Sequence, residues 1–240
     1  KVPSDQTRYG TYGFCGSLLR RACILELKHI SFGAADGDTD KEILDDVSFC
    51  VDEPFVAIPG PNGSGKSTLA KIIAGILTPS GGTILLDGED IIVLSVTERA
   101  RRGISYAFQQ TVLSKGLTVK DLVSLAAGKR LTVSEVCSYL SEVGLCARDY
   151  IDRAVNASLS GGELKRIEIA TVLAREKSLT VFDEPEAGID LWSFQSLLTV
   201  FEKMHERTQG NILIISQQER IINIAERNIV SANGKIPKTG

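Results

Sequence analysis

What the sequence holds least of narrows the possibilities first. No apolar run approaches the ~20 residues needed to span a bilayer, so direct membrane insertion is not expected, and the stretch around Leu18-Leu19 is too short for a secretory leader. Histidine occurs only at His29 and His205, and neither stands at the tip of a core-strand pattern; both read as surface or partly packed residues. The five cysteines, Cys15, Cys23, Cys50, Cys137 and Cys146, form no CxxC pair, which argues against a metal or cluster site built from this chain alone. Their odd number predicts reduced thiols and a cytoplasmic location. Charge of one sign is lacking too: 27 basic and 30 acidic residues leave a net charge of −3, against a large non-specific nucleic-acid surface, and no nucleic-acid partner is expected. Trp192 and Met204, each the only one of its kind, fall on one helical pattern and read as packing residues. The 240 residues suffice for one good core, or a core with a smaller lobe.

What is present centres on Gly60-Pro61-Asn62-Gly63-Ser64-Gly65-Lys66-Ser67-Thr68. It follows the apolar run Phe55-Val56-Ala57-Ile58 and leads into Leu69, Ile72, Ile73 and Ile76 at helical spacing, so the order is strand, glycine-rich loop, helix. Glycines let backbone N–H groups turn inward around phosphates, and the helix N-terminus adds unpaired donors and its dipole. Lys66 then reaches the outer phosphates, and the Ser67 hydroxyl is placed for magnesium. About 120 residues on, the hydrophobic strand Leu179-Thr180-Val181-Phe182 carries Asp183 and Glu184 at its tip. Asp183 can hold magnesium through water, and Glu184 can orient or deprotonate an attacking water.

Residues 1–22 show no clear period and read as an extension. The alternation in Cys23-Ile24-Leu25-Glu26-Leu27 suits an edge strand, followed by a polar hairpin from Gly33 to Lys41 and strand patterns at Ile43-Leu44 and Val47-Ser48-Phe49. Further strands are expected at Thr83–Gly88 and Ile104–Phe108, the latter delivering Gln109-Gln110. Thr118–Ala127 and Ser134–Val143 read as helices, the first opening with a Thr118/Asp121 capping box. Ser160 can cap another helix, with Glu163 reaching back, and a long helix starts at Asp190. A core strand at Asn211–Ser216 ends at Gln217-Gln218, and Asn233-Gly234 signals a two-residue hairpin. The expected architecture is α/β: a mostly parallel core sheet with an antiparallel part, built from residues 23–110 and 158–240, and an inserted helical lobe over 111–157.

Leu159-Ser160-Gly161-Gly162-Glu163, together with the order of the other motifs, resembles the ATP-binding cassette ATPases, of the P-loop type, over about Ile24 to Lys235. The resemblance implies that Gly60 to Thr68 are Walker A, and that Gln109 is the Q-loop glutamine at the magnesium with Ser67 and Asp183. It makes Ser160, Gly161, Gly162 and Glu163 the signature, Glu184 the catalytic glutamate, Asp190 part of the D-loop and Phe32 the aromatic that stacks on adenine. It further implies ATP and Mg2+ as cofactors, ATP hydrolysis, and a second cassette subunit closing head to tail. Glu163 stands where most members have glutamine, and Gln217 where they have histidine; Gln217 can hydrogen-bond a phosphate oxygen but cannot shuttle a proton. Slowed turnover with ATP binding retained is the expectation. Ser160-Gly161-Gly162-Glu163-Leu164-Lys165-Arg166-Ile167-Glu168 is most similar to the soluble ATPase of the SUF iron-sulfur cluster assembly system, implying a SUF-type scaffold on the helical lobe. The alternative is the ATP-binding subunit of a multi-subunit transporter.

Overall fold

The computed structural model describes residues 23–36, 39–108, 116–156, 158–189, 191–207 and 210–236. Strands β1 (Leu25–Asp36) and β2 (Thr39–Val51) form a long antiparallel pair, and β3 (Phe55–Ile58) leads into helix α1 (Lys66–Ala74). Then come β4 (Gly81–Leu86), β5 (Glu89–Asp90), α2 (Val96–Arg102) and β6 (Ile104–Ala107). Four helices follow: α3 (Val119–Ala127), α4 (Val133–Glu142), α5 (Ala147–Tyr150) and α6 (Gly161–Ala174). The remaining elements are β7 (Leu179–Asp183), α7 (Leu191–Arg207), β8 (Asn211–Ile215), α8 (Glu219–Ile224) and β9 (Arg227–Asn228).

Two sheets result: an antiparallel one in the order β2-β1-β4-β5, and a parallel one in the order β6-β7-β8-β3-β9. This is the α/β P-loop architecture expected, with parallel and antiparallel parts and helices inserted between β6 and β7. The parallel strands are apolar on both faces because both are covered. Phe55, Ala57, Phe182, Ile212 and Ile214 pack into the cluster that holds the buried side chains of α6 and α7. Their neighbours Val56, Ile58, Val181, Leu213 and Ile215 pack with α1 and the antiparallel sheet. Each fully buried Val, Leu, Ile or Phe side chain among them contributes about 1.5–3 kcal/mol.

Helix starts follow local chemistry. α2, α3, α4 and α6 all open with a capping box, formed by Ser95/Glu98, Thr118/Asp121, Thr132/Glu135 and Ser160/Glu163. The other end of α1 is closed by buried Arg99, whose guanidinium donates to the carbonyls of Ile72, Ile73, Ile92 and Leu94 at 2.6–3.1 Å. That pins the helix whose first turn meets the glycine-rich loop.

The polar hairpin expected from Gly33 to Lys41 is present, with strand pairing running on to Asp36↔Thr39. Two expectations need correcting. β1 is not an edge strand: β4 pairs along its other side, which leaves β2 and β5 at the edges. Cys23 and Cys50 are not free thiols; the antiparallel pairing of β1 with β2 brings their Cα atoms to 5.9 Å and they form a disulfide. Cys137 and Cys146 are free. Among the described residues no helix is long and apolar enough to cross a membrane.

Candidate functional site

The sheet places the chemistry. β7, β8 and β3 are adjacent and parallel, so the segments leaving their carboxyl ends, Asp183-Glu184, Gln217 and the glycine-rich loop, emerge side by side. That edge is where open α/β sheets bind ligands. A cavity of about 530 Å³ opens there, lined by Asn62, Gly63, Gly65, Lys66, Ser67 and Thr68 from the loop, Glu184, Glu42 and Ile43 from β2, and Asn233 and Gly234.

Glycine is required in this loop for two distinct reasons. At Gly65, φ is 87° and a Cβ would lie 2.6 Å from Leu44 Cδ2, so both backbone and space exclude a side chain. At Gly63, φ is 79° with open space around it, so the conformation alone decides.

The Lys66 amine donates to the carbonyls of Gly60 and Pro61 at 2.8 and 2.7 Å, bridging back across the loop. Burial pulls its pKa down, while the charges of Glu184 and Asp183 oppose that shift. The Ser67 hydroxyl donates to Asp183 Oδ1 at 2.8 Å, joining the start of α1 to the end of β7. Asp183 is only 1% exposed, and its other oxygen accepts the Tyr106 hydroxyl at 2.8 Å. Burial, reinforced by the Asp183 charge, pushes the Tyr106 pKa far up, so the hydroxyl stays protonated and donates. Glu184 sits at φ 45°, a conformation that costs a non-glycine residue energy and is held by its N–H donating to Ile215 O at 3.0 Å. The Gln217 amide donates to Asn62 Oδ1, bringing the residue after β8 onto the loop.

This donor set fits a polyphosphate with a divalent cation. Among the described residues no side chain caps the N-terminus of α1 and the buried Ser64 hydroxyl has no hydrogen-bond partner, while a cationic amine faces a hydroxyl–carboxylate pair. The cavity thus gathers Lys66, Ser67 and Glu184, with Asp183 and Gln217 bonded to its walls.

Other expected residues lie elsewhere. Ser160, Gly161, Gly162 and Glu163 start α6 and are not among the residues lining the cavity. Glu163 accepts from the Ser160 backbone N–H at 2.6 Å and from the Tyr150 hydroxyl, with Arg153 3.7 Å away. These partners hold its pKa below the usual carboxylate range, the Tyr150 hydrogen bond most of all. Phe32 sits in β1, packed against the core, and does not line the cavity; Ile43 of the neighbouring strand does. Gln109 and Asp190 lie outside the described residues.

Sequence reasoning missed several participants. Tyr106 was read only as a strand residue, and the Asn233-Gly234 turn, signalled as a hairpin, gave no hint of reaching the cavity wall. Glu186 was also missed. Its Oε1 accepts from the Ser216 hydroxyl at 2.5 Å, its Oε2 is buried without a hydrogen-bond partner among the described residues, and burial raises its pKa.

Comparison with known proteins agrees with this geometry. Residues 44–187 match the family model described as ABC transporter. The chain is 37% identical over 210 residues to an uncharacterized ABC transporter ATP-binding protein, MJ0035, of Methanocaldococcus jannaschii, covering 84% of each chain. It is 34% identical over 221 residues to a protein named for hemin import, the ATP-binding protein HrtA of Staphylococcus haemolyticus, covering 88% of this chain and 98% of that one. Among solved structures, the dimeric bacterial ABC transporter cassette MJ0796 superposes with a TM-score of 0.79 at 25% identity, covering 89% of this chain and 97% of the other. The chain belongs to the ABC transporter family of ATP-binding cassettes and is an ABC-type ATPase whose site suits magnesium-dependent hydrolysis.

Proposed function

We propose that the 530 Å³ cavity binds ATP with magnesium, and that the resulting closure of two cassettes drives a separate partner protein, in first place the membrane subunit of a transporter. The observation that carries the proposal is the Ser67–Asp183 hydrogen bond beside Lys66 and Glu184, which assembles cation, hydroxyl and two carboxylates from α1 and β7. Lys66 exchanges its loop carbonyls for the outer phosphates, and Ser67 and Asp183, with Gln109, hold the metal. Glu184 orients the attacking water and takes its proton. Gln217, already bonded to the loop, hydrogen-bonds a phosphate oxygen but cannot carry a proton. Magnesium, when bound, neutralises charge on the outer phosphates.

Ser160 to Glu163 and Asp190 act in the partner copy's site. The capped N-terminus of α6 is a second phosphate cradle that the chain's own cavity does not use. A dimer in which each nucleotide lies between one loop and the other copy's signature follows, and the match to a dimeric cassette supports it.

Docking of the partner is supported by an apolar groove of about 270 Å³ between β6, α3 and α6, lined by Phe108, Leu122, Val155, Leu164 and Ile167 among others, with exposed Leu125 nearby. A second reading rests on residues 160–168, which give their charged side chains fixed roles: Glu163 closes the cap, and Lys165 pairs with Glu168 at 3.0 Å. That run is similar to the SUF ATPase, for which the partner is a soluble scaffold. Affinity copurification from the native host, with ATP and magnesium, separates the two. A membrane subunit supports transport, and a SUF-type scaffold supports cluster assembly. Recovery of neither contradicts coupling to a separate partner.

A further inference from the structure

We propose that Tyr106 is a positioning residue that aims the Asp183 carboxylate and links it to the groove between the helical lobe and the core. The assignment rests on the reading of Asp183 as part of a magnesium–ATP site.

Register explains why the two residues meet. β6 and β7 are parallel neighbours with Tyr106 opposite Val181, so Asp183, two residues further along, is the diagonal neighbour on the same face. A tyrosine is long enough to cover that diagonal, and its hydroxyl donates to Asp183 Oδ2 at 2.8 Å. The Ser67 hydroxyl takes Oδ1 at the same distance. With one donor on each oxygen, the plane of the carboxylate is fixed from two sides. Ser67 is expected to turn towards metal and nucleotide when they bind, which leaves Tyr106 as the donor that keeps the orientation.

The other end of Tyr106 faces a different part of the molecule. Its ring lines the 270 Å³ groove and stands edge-on to Phe108, with centroids 4.8 Å apart at 89°. Phe108 is itself gripped by α6. The Lys165 amine, on a side chain 3% exposed, donates to the Phe108 carbonyl at 2.6 Å and pairs with Glu168. One side chain therefore touches both the groove wall and the carboxylate. Whatever occupies the groove, or shifts α6, acts on the ring whose hydroxyl holds Asp183.

Tyr106→Phe removes only the hydroxyl. Supporting hydrogen bonds to metal ligands typically contribute 10–100-fold in metal affinity, so Mn2+ titrated into the protein–ATP complex and followed by electron paramagnetic resonance should bind about tenfold more weakly in this variant. Binding of ATP in the presence of chelator should stay at the wild-type value. A Leu122→Trp substitution in the groove should change Mn2+ affinity in the tyrosine background and not in the Tyr106→Phe background, the signature of coupling through the hydroxyl. Mn2+ affinity within about twofold of wild type would overturn the assignment. So would loss of chelator-resistant ATP binding, which marks a merely structural role, or a Leu122→Trp effect independent of Tyr106. Failure of the wild-type protein to take up Mn2+ with ATP would instead count against the site reading itself.

Discussion

Gln217 donates its amide to Asn62 of the phosphate loop, yet an amide side chain neither gains nor loses a proton in the working pH range. Gln217→His restores that capacity at the tip of β8. It is expected to raise steady-state phosphate release by about a hundredfold, the lower end of what a positioned acid–base group supplies, with nucleotide affinity unchanged; equal rates contradict this. Glu186 makes a separate prediction about stability. Burial raises its folded-state pKa above the ordinary 4.5, and the nearby Glu184 charge pushes the same way. Its contribution is then fully present below the unfolded pKa and lost as pH rises through the folded one. Glu186→Gln should therefore melt with wild type near about pH 4 and a few degrees above it near about pH 8, the gap opening between the two. A gap of constant size across that range rejects the argument. Lys66, Ser67, Asp183 and Gln217 were legible as candidates because each sits within a short pattern at or just after a strand end. Tyr106 and Glu186 were not, since their partners lie 77 and 30 residues away and only the side-by-side packing of β6, β7 and β8 brings them together.

Among elements, those with strong periodicity could be read directly. The Thr118/Asp121 and Ser160/Glu163 boxes mark the starts of α3 and α6 as expected. α2 carries the same signal in Ser95/Glu98 but has only seven residues, too short for a helical period to emerge. Its value to the fold lies in Arg99, a buried charge satisfied by four carbonyls, which no local pattern announces. The place of β1 inside its sheet was illegible for a related reason. Partial alternation fits an edge strand, whereas a second pairing partner far along the chain, Leu86 for Leu25, is a property of topology. The disulfide between Cys23 and Cys50 follows from the pairing of β1 with β2, and spacing alone could not have chosen it.

In the molecule as a whole, the cavity and the start of α6 are, on the proposed reading, two separate half-sites. Lys66, Ser67 and Glu184 line the cavity, while Ser160 to Glu163 start α6 outside that lining. On that reading a single copy holds nucleotide on one side only, and a second copy supplying its own α6 completes the enclosure. The direct measurement of this is the mass in solution of Glu184→Gln, which keeps the phosphate contacts but cannot activate water. With ATP and magnesium, light scattering should show the mass doubling relative to the nucleotide-free sample, and Lys66→Ala in the same background should abolish the change. A single-chain mass at saturating ATP would contradict the account.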